Sequence, residues 1–231
     1  MSVFIAERRN QLNHSNKKIL IYEPTTFLTN IPLIIMAIIY GQKILDIYSK
    51  TSHLFHFNFG WSFFSLGLAA LAGAFFHGFG PHFSDLFREW IWKIVLTCLG
   101  LTFFFSLMAA SAAIFSLNSY TFLRYFFVVG LAVFLLQTLR FHGFGQSISF
   151  FAISQFLVII AFLFLTIKSY DRGYLYILLS GCLTAIAGGL WATGWSLHKN
   201  FNKNDFFHVI QLVSIWLTYR GASSINNTNL P

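Results

Sequence analysis

Seven apolar stretches separated by short polar breaks constrain this chain more than any other feature. They cover residues 27–47, 59–76, 90–115, 121–139, 148–167, 174–195 and 206–219. The hydrocarbon core of a bilayer is about 30 Å thick, so an α-helix needs about 20 mostly apolar residues to cross it. The sequence therefore predicts an all-α integral membrane protein, a single bundle of seven transmembrane helices.

The composition favours membrane lipid as the partner of this chain. Charged residues make up only 10% of the sequence and hydrophobic residues 56%, whereas soluble domains are about 25% charged. The formal charge of +8 does not come from a basic run that alternates with exposed aromatic residues. Nucleic acid is therefore not expected as a partner, and a membrane surface accounts better for the basic residues.

The two ends of the chain are predicted to lie on opposite sides of the membrane. Residues 1–26 lack the continuous apolar core of a cleaved signal peptide and are predicted to form a cytoplasmic tail. Residues 27–219 would hold the helices, and residues 220–231 a flexible C-terminal tail. More Lys and Arg residues lie near helix ends on the N-terminal side, so the N-terminus is expected in the cytoplasm and the C-terminus outside.

Histidines gather on the N-terminal side of the predicted bundle. Only two of the eight fall on the opposite side, His53 and His56. The pentapeptide FHGFG occurs at residues 76–80 and again at 141–145, ending the second and fourth helices, and the glycine after each histidine suits a helix end with positive φ. These histidines are either interfacial groups beside negative helix ends, or they project into a shared pocket.

A polar face on the last helix indicates a second contribution to such a pocket. Asn204, His208 and Gln211 lie at i, i+4 and i+7, on one side of a segment otherwise suited to burial. Imidazoles from different helices, with one position left to water, are typical of catalytic zinc. His77, His142 and His208 fall at the same end of three predicted helices and are therefore candidate ligands, with His198 close by. Haem held by His77 and His142 is a minor alternative.

Several other chemistries find no support in the sequence. It contains no HExxH, no P-loop and no GxSxG elbow. The seventh segment has no lysine for a Schiff base, which excludes a retinal-type pigment. Cys98 and Cys182 both lie inside apolar stretches and provide no disulfide framework.

These residues together resemble a known family. The chain resembles the alkaline ceramidase and adiponectin-receptor-like superfamily of seven-helix membrane hydrolases in three features. These are a small residue four positions before His77, an acidic residue near the start of the third helix, and a polar-xxx-His pair at the start of the seventh. Residues 23–30, EPTTFLTN, are similar to the ExxNTxSN segment that leads into the first helix of alkaline ceramidases. The resemblance implies a seven-helix bundle with a zinc centre.

The resemblance also implies roles for individual residues. His77 and His208 would bind zinc, and an acidic residue of the third helix, Glu89 or Asp85, would transfer protons. The N-terminal acidic motif, represented here by Glu23 with Asn30 at its other end, binds calcium in the family.

Two departures from the family pattern affect the site. Gly73 stands where the family has a serine, and Asn204 stands where it has the first histidine of HxxxH. An amide is a poor zinc ligand compared with imidazole. Either another residue supplies the missing ligand, or no catalytic zinc binds; the candidates are His142, His198 and Asp205.

The preferred expectation is a zinc-dependent intramembrane hydrolase of a lipid amide, with its metal site near the cytoplasmic face. The alternative is a non-catalytic protein of the same fold that binds a lipid, haem or a partner. The loss of the serine hydroxyl and of one imidazole favours the alternative. The gathering of histidines on one side favours the enzyme.

Overall fold

The computed structural model describes residues 20–140, 144–198 and 201–225, and these residues form seven long α-helices. In chain order they are α1 (Pro24–Thr51), α2 (Leu54–Phe79), α3 (Asp85–Ile114), α4 (Leu117–Arg140), α5 (Phe144–Ser169), α6 (Arg172–Ala192) and α7 (Lys203–Ser224). A short 3₁₀ turn, Gly80–His82, follows α2. Within the described ranges, β-type pairing is limited to one isolated bridge between His198 and Phe201. The prediction of an all-α fold is confirmed.

Local sequence signals determine where several helices begin. Pro24 occupies the first turn of α1. The backbone N–H groups of a first turn have no partner within the helix, so the N–H that proline lacks costs no helical hydrogen bond. Ser84 and Asp171 are the N-caps of α3 and α6, and their side-chain oxygens accept hydrogen bonds from backbone N–H groups of the first turn. Asn202 and Asp205 form a reciprocal capping box at the start of α7.

Six helices form a ring in which neighbours pack in the order α1, α2, α3, α5, α6, α7 and back to α1. The remaining helix, α4, lies outside the ring, mainly against α3, and most of its residues are not buried. Aromatic side chains fill part of the ring. Phe59 of α2 and Phe162 of α5 have ring centroids 6.0 Å apart, and Tyr174 at the start of α6 is fully buried.

Six of the described helices, α1 to α6, are long and apolar enough to cross a membrane. This indicates an integral membrane protein whose outer helix faces contact lipid. In the described part of the chain α7 does not meet the same criterion, since it is less apolar and contains Lys203, Asp205 and Arg220. It packs against α6 and α1.

The ends of the helices differ from the sequence prediction in three places. α1 begins at Pro24, inside the predicted tail of residues 1–26. α7 continues through Ser224, beyond the predicted helix end at residue 219, and Ile225 is buried. α6 ends at Ala192 rather than at residue 195, because the chain turns at Gly194, which has a φ of 76°.

Gly78, the glycine of the first FHGFG, does not have the predicted role. It lies within α2, which continues to Phe79, and among the described glycines only Gly194 has positive φ. A Cβ at residue 78 would lie 2.7 Å from Cδ2 of Phe27. The glycine is therefore needed for the close approach of α1 to α2 and not for a turn. The second pentapeptide, at 141–145, begins in a segment outside the described residues.

Candidate functional site

The end of the bundle where α1 and α7 begin and α2 ends gathers most of the predicted site residues. The chain just before α1 lies along the end of α2, where the N–H groups of Tyr22 and Glu23 donate to the carbonyls of Gly78 and His77 at 2.9 and 3.2 Å. His82 adds a third link, because its Nε2 lies 2.9 Å from the carbonyl oxygen of Leu20. Residues predicted as tail therefore form one wall of the site.

Glu23 and His77 form the first polar pair of this site. His77 Nδ1 lies 2.9 Å from Glu23 Oε2. Partial burial alone would raise the pKa of the Glu23 carboxyl, but the hydrogen bond and the charge of His77 hold that pKa below its ordinary value. Glu23 is therefore an ionised acceptor, and Nδ1 of His77 carries the donated proton.

His208 forms the second pair, with a threonine of α1. Its Nδ1 lies 2.9 Å from Thr29 Oγ1, and Thr29 Oγ1 also lies 3.1 Å from the carbonyl oxygen of Thr26, to which it donates. The resemblance assigns zinc to His77 and His208. Both histidines bond to residues at the start of α1, and the charges on their rings interact.

Asp205 anchors the start of α7 to α1. Its Oδ1 accepts a hydrogen bond from Thr26 Oγ1 at 2.7 Å, and its Oδ2 accepts one from the backbone N–H of Asn202 at 2.6 Å. Asn202 Nδ2 also donates to Thr26 Oγ1 at 3.2 Å. Asp205 is fully buried, and these hydrogen bonds satisfy its carboxylate. Its two oxygens therefore serve as helix cap and interhelical link.

The two imidazoles have the chemistry of metal ligands. Each has its Nδ1 held by an oxygen, the second-shell arrangement that commonly orients metal-binding histidines. In a tautomer that carries its proton on Nδ1, the Nε2 lone pair is available to a metal such as zinc. In the part of the chain that the structure describes, no three His, Cys, Asp or Glu side chains come together as a metal-binding group. His77 and His208 share this arrangement of an oxygen at Nδ1.

The other polar residues of α7 bond to α6 and not to the histidine pair. Asn204 Oδ1 accepts a hydrogen bond from Trp191 Nε1 at 2.7 Å. Thr184 Oγ1 lies 3.5 Å from Gln211 Oε1. The polar face predicted from the sequence is therefore divided between the two neighbours of α7. His208 contacts α1, whereas Asn204 and Gln211 contact α6.

The acidic residues of α3 are both in ion pairs on their own helix. Glu89 Oε1 lies 2.7 Å from Lys93 Nζ, which also donates to the carbonyl oxygen of Leu139 on α4 at 3.0 Å. Asp85 is mostly exposed and lies 3.1 Å from Arg88. The Glu89–Lys93 pair thus lies where α3 meets α4. A role of Glu89 or Asp85 in proton transfer stays a prediction.

The remaining predicted ligands lie apart from the histidine pair or outside the described residues. His198 is exposed in the connection between α6 and α7, where it pairs through its backbone with Phe201. His142 belongs to residues 141–143, which lie outside the described ranges. Calcium binding through Glu23 stays a prediction; in the structure its carboxylate accepts a hydrogen bond from His77.

Asn30 lies beside the position at which the family serine is missing. It is buried, and its Nδ2 donates to the carbonyl oxygen of Thr26 at 2.8 Å. A Cβ added at Gly73 would lie 3.6 Å from Asn30 Oδ1, which is an ordinary contact. The backbone at Gly73 therefore has room for a small side chain.

Sequence reasoning missed four residues of this site. These are Thr26, Thr29, Trp191 and Asn202. Thr26, Thr29 and Asn30 place three polar groups in the first two turns of an apolar helix, and this pattern was a usable signal for an interhelical contact. Asn202 is followed by an acidic residue three positions later, the pattern of a capping box.

One histidine outside this site is also buried. His56 is fully buried near the start of α2, and neither of its ring nitrogens has a hydrogen-bond partner among the described residues. The carbonyl groups of Ala222 and Ile225 face its ring. His53 instead caps α2, where its Nδ1 accepts a hydrogen bond from the N–H of Phe55 at 3.2 Å.

Comparison with known proteins assigns the chain to a family without assigning an activity. A family of unknown function, DUF6962, matches residues 25–227. This range contains all seven helices except the first residue of α1, and with them His77 and His208. No curated protein and no solved structure matches the chain. Because the match covers most of the sequence, the chain belongs to the family DUF6962.

Proposed function

We propose that this chain is a zinc-dependent intramembrane hydrolase of a lipid amide, similar to the alkaline ceramidases. The observation that carries the proposal is that His77 and His208 are each held at Nδ1 by an oxygen at the start of α1, His77 by Glu23 and His208 by Thr29. Histidines held in this way have an oriented ring and a lone pair at Nε2, as a metal ligand requires.

The residues of the site divide into metal donors and groups that orient them. His77 and His208 would hold the metal, Glu23 would orient His77, and Thr29 would orient His208. Zinc supplies a Lewis acid that polarises a carbonyl and activates water at neutral pH. Catalytic zinc usually has three protein ligands. His142 is the proposed third, and His198 and Asp205 are the alternatives.

The surroundings of the site support a lipid substrate. The apolar outer faces of α1 to α6 fit a bilayer, and the histidine pair lies near one end of the bundle, close to headgroup depth. In the proposed topology α7 is the seventh span, with its polar face turned to α1 and α6 and the site on the cytoplasmic side. Hydrolysis there would break the C–N bond of an amide and release a fatty acid and an amine.

Specific observations also favour the alternative, a non-catalytic lipid-binding member of the same fold. Asn204 stands where the family has the first histidine of HxxxH, and its side chain is instead bonded to Trp191. Gly73 carries no hydroxyl that would stabilise an oxyanion. A protein with two histidines and no complete ligand set would still bind a lipid between its helices.

Hydrolysis of a fluorescent N-acyl sphingosine by the full chain in lipid nanodiscs tests the proposal. We expect zinc-dependent release of the fatty acid, with at least a 100-fold lower rate for His77→Ala and His208→Ala because each removes a metal donor. His82→Gln is the matched control, since glutamine at this exposed position still has a donor for the Leu20 carbonyl. Binding of the lipid without hydrolysis would support the non-catalytic alternative.

The same assay tests the predicted proton donors. Asp85→Asn and Glu89→Gln remove each carboxylate in turn. If either residue transfers a proton during hydrolysis, its variant should lower the rate by about 100-fold or more. A rate that is unchanged in both variants would leave the site without a contribution from α3.

A further inference from the structure

Two threonines of α1 meet two side chains of α7 in a repeated pattern. Thr26 donates to Asp205 at 2.7 Å, and Thr29 lies 2.9 Å from His208, with the same separation of 179 residues in both pairs. The members of each helix are three residues apart, which places them on the same face about one turn apart. The contacts therefore form two rungs between α1 and α7.

The first rung is rigid. Asp205 is fully buried, and its second oxygen is held by the capping box with Asn202. Thr26 is also fully buried and accepts a hydrogen bond from Asn202 Nδ2. Because every partner is fixed, this rung sets the height and rotation of α7 relative to α1. It brings His208 to Thr29 one turn further along.

The second rung determines where the proton of His208 lies. Thr29 has one hydroxyl hydrogen, and its position 3.1 Å from the Thr26 carbonyl is the back-bonding geometry common for helical threonine. If the hydroxyl donates its hydrogen to this carbonyl, its oxygen can only accept a hydrogen bond from His208 Nδ1. The imidazole must then donate from Nδ1, which leaves the lone pair on Nε2.

We propose that Thr29 is a positioning residue that selects the His208 tautomer with a free Nε2 lone pair, and that the Thr26–Asp205 rung holds the two residues in register. This inference rests on the proposed function, because a free Nε2 is useful only to a ligand such as a metal. It gives Thr26 and Thr29 of EPTTFLTN a role in the contact between α1 and α7.

The tautomer is measurable without any metal. We would record long-range ¹H–¹⁵N spectra of the ¹⁵N-histidine-labelled, zinc-free chain in nanodiscs at about pH 8, above the ordinary histidine pKa. His208→Gln identifies the resonances of His208 among the eight histidines. We expect wild type and Thr29→Ser to show protonated Nδ1, and Thr29→Val to show mainly protonated Nε2.

A matched variant controls for general effects on α1. Thr25→Val makes the same change one turn earlier, at a threonine for which the described residues show no side-chain hydrogen bond, and the wild-type spectrum should persist. Protonated Nε2 in the wild type, or a Thr29→Val spectrum identical to that of wild type, would overturn the proposal. The first result would mean that Thr29 donates its hydrogen to His208. The second would mean that Thr29 does not determine the tautomer.

Zinc titration separates this inference from the proposed function. If zinc binds, Thr29→Val should weaken it by 10- to 100-fold, whereas Thr29→Ser and Thr25→Val should stay within about threefold of wild type. If the wild type shows the expected tautomer but binds no zinc, the proposed function fails and the role of Thr29 stands. If zinc binds with equal affinity to Thr29→Val, the positioning role fails and the metal site stands.

Discussion

Glu23 accepts a hydrogen bond from His77 Nδ1 across 2.9 Å, and the pair joins the start of α1 to the end of α2. The same two residues are also joined through their backbones, since the N–H of Glu23 donates to the carbonyl of His77. This double link fixes the ring of His77 relative to α1. His208 is fixed to the same helix by Thr29, so that α1 is the common reference for both histidines.

The Glu23–His77 pair should make stability depend on acid. The pKa of Glu23 is lower in the folded protein than its ordinary value of 4.5, so the pair stabilises the fold above pH 4.5, and this contribution is lost as the pH falls through the lower folded value. Glu23→Gln should therefore unfold more easily than wild type at pH 7, by less than about 1 kcal/mol for such a partly exposed pair. Thermal unfolding in detergent at a series of pH values measures the difference, which should disappear in strong acid. A constant difference at every pH would contradict it.

Gly78→Ala should be destabilising despite the higher helix propensity of alanine. The new Cβ would lie 2.7 Å from the Phe27 ring, and overpacking of this kind costs about 1–3 kcal/mol. Gly188→Ala on α6 is the matched control, because no described atom lies within 4 Å of its added Cβ. The control should be neutral or stabilising by up to about 1 kcal/mol. Unfolding of both variants in detergent gives the comparison, and equal stabilities would exclude close packing at Gly78.

Thr26→Val should destabilise the junction of α1 and α7. It removes the donor to a fully buried carboxylate at nearly constant volume, with an expected cost of about 1–3 kcal/mol. The double variant Thr26→Val with Asp205→Asn should lose less than the sum of the two single variants, since both act on one interaction. Free energies of unfolding from denaturant titration test this. Additive losses would show that the two side chains act independently.

Lys93 and Glu89 should be coupled in stability. Lys93 is buried, and its ammonium group depends on Glu89 and on the Leu139 carbonyl for compensation. Removing only Glu89 leaves that charge less well paired, whereas the double variant Glu89→Gln with Lys93→Met removes the charge as well. A double-mutant cycle should give an interaction energy above about 0.5 kcal/mol. A value near zero would contradict the pairing.

The sequence predicts the helices well because their cause is local. Each apolar stretch is long enough to bury its own backbone polar groups in a helix, whatever its neighbours are. The role of Gly78 is not determined locally. A glycine near a helix end can allow a turn with positive φ or a close contact with another helix, and the position of Phe27, about 50 residues earlier, decides between the two.

The sequence predicts His77 and His208 as site residues but not the groups that hold them. The two histidines were expected near each other, because the end of α2 and the start of α7 lie on the same side of the bundle. Which groups hold their Nδ1 atoms depends on the rotation of α1 about its axis, and packing against α2 and α7 sets that rotation. Asn204 turns to Trp191 for the same reason, since α7 lies between α1 and α6.

Zinc content of the purified chain tests most directly whether His77 and His208 share a metal. After reconstitution with zinc and removal of excess metal, elemental analysis should find close to one zinc per chain in the wild type and in His82→Gln. His77→Ala and His208→Ala should each lose nearly all of it. X-ray absorption should show imidazole nitrogen at about 2.0–2.1 Å from zinc. Less than about a tenth of an equivalent in the wild type, or unchanged zinc in both histidine variants, would contradict the metal site.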